Sequence, residues 1–124
     1  MYAAQLNTYS RVQQSTMTDQ EFEASVLTKG AMMLKRCQDN WDDPGREKGL
    51  SEALAYNQKI WTIFQAALVQ SDSPMPEMLK KNILSLSVLF DKQAFEVMSD
   101  PAPQKLTLLI NINLNIAAGL RGNR

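Results

Sequence analysis

The chain has 124 residues, with thirteen lysines and arginines against thirteen aspartates and glutamates, no histidine and a single cysteine. That is the length of one domain able to bury a core without disulfides or metal. The balanced charge with no basic cluster disfavours direct nucleic-acid binding. The missing histidine excludes a Ser-His-Asp triad, a Cys-His dyad and a histidine zinc site.

Residues 1–17 are polar and rich in amides, yet Tyr2, Leu6, Tyr9 and Val12 recur at helix-like intervals. They read either as a short amphipathic helix docked on the body or as an arm that orders with a partner, and in the second reading those four side chains are the candidate partner-binding residues. The stretch has neither a basic n-region nor an apolar h-region, and no apolar run approaches the ~18 residues of a membrane span. The expectation is a cytoplasmic protein that does not enter a membrane.

Residues 18–124 read as one helical bundle. Thr18-Asp19-Gln20-Glu21 is a capping-box signature that opens a helix running to about Gln38, with Phe22, Val26, Met33 and Cys37 inward. Gly30 within it weakens the helix or admits a close neighbour. Cys37 falls in register with the core face and reads as a small buried thiol. The turn Asn40-Trp41-Asp42-Asp43-Pro44-Gly45 follows, with Trp41 expected to fold back over the bundle end or to anchor a partner.

The second helix, about 47–70, carries the most specific pattern in the chain. Leu50, Leu54, Asn57, Trp61, Phe64 and Leu68 step by four and three along one stripe, beside Ala53, Tyr56, Ile60, Ile63 and Ala67. A carboxamide at Asn57 in such a seam requires a hydrogen-bond partner, because leaving it bare costs about 1–3 kcal/mol. Asn113 near the C-terminus has the same character, and the two amides satisfying each other is the economical solution.

Pro74 and Pro76 break the chain before a third helix that runs to about Met98, with Leu79, Ile83, Leu86, Phe90, Ala94 and Val97 inward. The last segment fits two templates. Leu108, Ile110, Ile112, Leu114 and Ile116 alternate like a strand, whereas Leu106, Leu109, Asn113, Ile116 and Leu120 fit a helix. With no other strand to pair with, and with prolines before it and glycines behind, the helix is the expectation. The predicted fold is all-α, a single antiparallel bundle of about four helices with a possible short N-terminal helix. The carboxylates sit in turns and first helical turns, where capping and the helix dipole account for them. No catalytic residue, cofactor, metal site or small-molecule substrate is expected.

Ala53-Leu54-Ala55-Tyr56-Asn57-Gln58-Lys59-Ile60-Trp61 resembles the Ala-Leu-x-x-Asn-x-x-(Leu/Ile)-Trp segment of the FlaF family of flagellar biosynthesis regulators. Leu109-Ile110-Asn111-Ile112-Asn113, followed by Ile116 and Gly119-Leu120, is similar to that family's closing segment. Pro76 through Val97 is similar to its third helix, and Glu23 with Leu27 also fits. The chain departs from the pattern at Lys92-Gln93 after Asp91 and at Leu114 after Asn113. The resemblance implies a cytoplasmic, non-enzymatic protein of flagellar assembly in alphaproteobacteria, with Asn57, Trp61 and Asn113 as motif residues. It further implies promotion of flagellin synthesis, flagellin as partner in the manner of an export chaperone, and action with an FlbT-like regulator of flagellin mRNA. An RNA-linked role on that mRNA is the alternative.

A methionine-rich bundle suits helix-in-groove recognition, although Met17, Met32, Met75 and Met78 taken singly read first as core fillers. The expected docking surface is residues 1–17 with the adjoining faces of the first and last helices.

Overall fold

The structure, a computed structural model, describes residues 19–69 and 76–122. The described residues form four α-helices and one short 3-10 turn, with no strand. They are α1 (Asp19–Asp39), α2 (Arg46–Leu68), α3 (Glu77–Ser99) and α4 (Leu106–Leu120), with Pro103–Lys105 forming the 3-10 turn into α4. α1 begins at the capping signature read from the sequence; Thr18, its proposed cap, and the stretch 1–17 lie outside the described residues.

The helices run up, down, up and down in a ring, each packed on the next, and α4 closes back on α1. The α1–α4 pair is the closest and the α2–α3 pair the least extensive of these four seams. Small side chains permit the close approach. Ala24 and Ala31 of α1 and Ala117 of α4 are fully buried. Thr28 and Gln38, on the α1 flank that holds Ala24 and Ala31, reach across to α4: Arg121 Nη2 donates to Thr28 Oγ1 at 3.1 Å, and Gln38 Nε2 donates to Pro103 O and Thr107 Oγ1 at 2.9 Å.

Each inner stripe follows helical spacing, with a wider arc on α1 than the pattern predicted. Phe22, Val26 and Cys37 are buried as expected and Met33 partly so, but Leu27 and Leu34 are fully buried too. α1 has both α2 and α4 as neighbours, so two adjacent stripes turn inward. On α2 the predicted stripe is buried throughout, Asn57 included. On α3, Ile83, Phe90, Ala94 and Val97 are buried while Leu79 and Leu86 are half-covered. The ambiguous last segment is a helix, as its brackets indicated; Gly122, at φ 80°, takes the left-handed conformation that terminates it.

The two described turns are tied locally. Asp43 Oδ1 accepts from the Gly45 amide at 3.0 Å, and the Arg46 guanidinium lies 4.1 Å from the Trp41 ring centre while its Nε donates to Trp41 O. Trp41 is thus folded against the end of the bundle, half-buried. At the α3–α4 turn, Lys105 Nζ donates to Glu96 Oε1, Asp100 Oδ2 and Asp100 O. Those carboxylates hold its ammonium above the usual lysine range.

Candidate functional site

Two features are candidates for function, one inside the bundle and one on its surface. Inside, Asn57 from the middle of α2 and Asn113 from the middle of α4 are both fully buried. Trp61, one helical turn after Asn57, lies beside them, its ring stacked on Phe90 of α3 at 5.5 Å between centres. An indole N–H can only donate, so its bond to Asn113 Oδ1 at 3.0 Å orients that carboxamide. The Asn113 amide then donates to Leu27 O at 3.1 Å and to Asn57 Oδ1 at 2.6 Å. The Asn57 amide in turn donates to Gly30 O at 3.1 Å and Ala53 O at 2.8 Å.

Every polar hydrogen of the three side chains is used, and among the described residues no buried side-chain nitrogen or oxygen lacks a partner. The acceptors Leu27 O, Gly30 O and Ala53 O belong to helices; a carbonyl has two lone pairs, and the second is free to accept a side-chain amide. The proximity depends on Gly30. A Cβ there would collide with Asn57 Oδ1 and stand 3.0 Å from Asn113 Nδ2. Glycine is therefore a packing requirement at this point of α1, the close-approach alternative read from the sequence.

The network holds neutral amides and an indole, with no group that titrates near neutral pH and no access to solvent. Its chemistry is positional: it joins α1, α2 and α4 at a single register. Cys37, near the same face of α1, is buried, and burial pushes its thiol up against the opposing pull of Arg36 and Arg46. Among the described residues no group of histidine, cysteine and carboxylate side chains could hold a metal ion, and no helix is long and apolar enough to cross a membrane.

On the surface, large exposed hydrophobic side chains concentrate on α3: Met78, Val88, Leu89, Phe95 and Met98. Val88 and Phe95 are 66% and 67% exposed. Beside Met98 a groove of about 550 Å³ opens between α2 and α3, lined by Leu50, Leu54, Ala55, Gln58 and Pro101 among others. On α1 and α4, whose faces next to residues 1–17 are expected from the sequence to share the docking surface, Met32 and Leu108 are the large exposed hydrophobics among the described residues. Met32 and Met78 are exposed rather than core fillers, because the core stripes of their helices lie on other faces. Tyr2, Leu6, Tyr9, Val12, Met17 and Met75 lie outside the described residues.

The inner site was visible in the sequence as two amides on apolar stripes. The α3 flank was not read, although its signal was present: Leu84, Val88, Asp91, Phe95 and Met98 repeat the four-three rhythm of the inner stripe one residue later. No curated protein and no solved structure matches the chain. Residues 5–120, which include the Asn57–Trp61 segment, both partners of the buried amide pair and all of α3, match the family described as Flagellar protein FlaF, and the chain belongs to that family.

Proposed function

We propose that this flagellar protein promotes flagellin synthesis by binding flagellin in the cytoplasm, in the manner of an export chaperone and without catalysis. The observation that carries the reading is the exposed apolar flank of α3 on a chain of zero net charge. Several large apolar side chains left exposed on one helix point to an interaction site. Flagellin's terminal segments are long amphipathic helices, and their apolar stripe is the chemistry such a flank and its neighbouring groove accept. Tyr2, Leu6, Tyr9 and Val12 are proposed to join that contact. An FlbT-like regulator is the proposed second partner.

Calorimetric titration with purified flagellin at two salt concentrations tests this. Saturable binding that changes little with salt is expected, with loss of affinity in Val88→Lys and Phe95→Lys. Absence of binding rejects the reading. Binding to flagellin mRNA that weakens steeply with salt would replace it with direct RNA recognition.

A further inference from the structure

α2 and α3 share the least extensive of the four seams, and beside it α3 turns a second stripe outward. Leu84, Val88, Asp91, Phe95 and Met98 recur at four, three, four and three, so they share one side of the helix. Met98, at the end of that stripe, lines the groove together with Leu54, Ala55 and Gln58 of α2. Asp91 and Leu84 lie about two and about four turns back from Met98 on the same side, so the stripe continues the groove wall along α3. The stacked rings of Trp61 and Phe90 set the level of this antiparallel pair, and Asp91 stands beside the stretch from Gln58 to Thr62. Asp91 is the single charge of the stripe, and it is exposed. Its neighbours three and four positions away, Ser87, Val88, Ala94 and Phe95, are uncharged. No ion pair engages its carboxylate among the described residues. The charged residues that line the groove, Arg46 and Glu47, belong to the start of α2, about three turns before Gln58. Aspartate is a poor residue for a helix interior, and this one gains no local partner in return.

We propose that the α2–α3 groove takes an amphipathic helix of a protein partner whose apolar stripe carries one lysine or arginine, and that Asp91 pairs with that cation and fixes the register of the helix. The proposal rests on the reading of the α3 flank as the flagellin-binding surface and goes beyond it in naming the charge that the partner brings. From Leu84 to Met98 the stripe is about 21 Å long, which is about four turns of a partner helix. Laid over Asp91, such a helix removes water from the carboxylate, a large cost unless a cation takes the water's place. A lysine or arginine can do so, because its stem lies along the apolar wall while its charged head reaches the carboxylate. A helix slipped by one turn sets an apolar side chain on Asp91 and its own cation on Val88 or Phe95. A single polar position in a coiled-coil seam sets register for the same reason.

The test uses three synthetic amphipathic helices of about 18 residues, long enough to span the stripe. They differ only in the central residue of the apolar face, which is lysine, leucine or glutamate. Each is titrated into the full chain and followed by its amide resonances. The lysine peptide is expected to bind about tenfold more tightly than either of the others, shifting the amides of Leu84–Met98 and of Ser51–Thr62. In Asp91→Lys the glutamate peptide should become the tightest, and in Asp91→Leu the leucine peptide. Asp91 is a surface position, and the unshifted amides of α1 and α4 report that each variant is folded. Equal affinities for the three peptides, binding of none, or shifts centred on α1 or α4 overturn the proposal. So do α3 shifts that grow with chain concentration in the absence of peptide, which would give the groove to a second copy. Peptide preference without flagellin binding would reject flagellin alone. Flagellin binding that is lost in Val88→Lys but kept in Asp91→Lys would reject the role of Asp91 alone.

Discussion

The seam where α1 and α4 meet α2 and the outward flank of α3 are both built from apolar stripes of four-three spacing, yet they end in opposite states. Around Asn57 and Asn113 three helices approach closely enough that a glycine is required, and each amide hydrogen finds an acceptor. Along α3 the second stripe faces outward, with Val88 and Phe95 two-thirds exposed. Periodicity creates a stripe; whether it becomes core or contact surface depends on whether a neighbouring helix is available to cover it. In a four-membered ring α3 touches α2 and α4, and its inner stripe already serves both.

This comparison can be broken most forcefully at Gly30. Gly30→Ala places a methyl group against Asn57 Oδ1, so overpacking and loss of amide partners act together; a loss of about 4 kcal/mol is expected in denaturant unfolding. Asn113→Ala follows at about 3 kcal/mol, because it strands both the Trp61 N–H and Asn57 Oδ1. Asn57→Ala leaves one Asn113 N–H unpaired and should cost about 2 kcal/mol. The double change Asn57→Ala/Asn113→Ala is expected to cost less than the sum of the two; strict additivity would mean that the amides do not act as a unit.

A smaller effect is expected from pH at Cys37. Its thiol is raised in the folded state, so the stability tied to its neutral form is complete below the ordinary thiol range and disappears as pH rises through the raised folded value. Cys37→Ala should therefore lose less stability than the parent between neutral and alkaline pH, as read from denaturant midpoints. The smallest change in stability, within about 0.5 kcal/mol, is expected for Val88→Lys on the exposed flank. If that substitution instead destabilises the bundle in chains with residues 1–17 and not in chains lacking them, the flank is covered in the free protein.

Much of the bundle was legible along the chain. The Leu50–Leu68 stripe, the prolines before α3 and Gly122 after α4 mark where helices lie, and the stripes mark which side of each is apolar. The two asparagines were also legible as a problem needing a solution, since an amide on a buried stripe demands partners. Less legible were the contributions of Leu27 and Leu34, because the arc of α1 that becomes buried depends on how many helices surround it. Leu27 O and Gly30 O could not be identified as acceptors from residue type, since every residue carries a carbonyl.

Local physics accounts for the helices and their stripes, because 3.6-residue geometry and chain-breaking residues act within a few positions. The 56-residue separation of Asn57 and Asn113 is closed only by the ring order. It is this tertiary arrangement that turned Gly30 from a weak point in a helix into the place where two amides fit. By covering one four-three stripe of α3 and leaving the next open to solvent, the same arrangement separated core from surface where the sequence pattern was nearly identical.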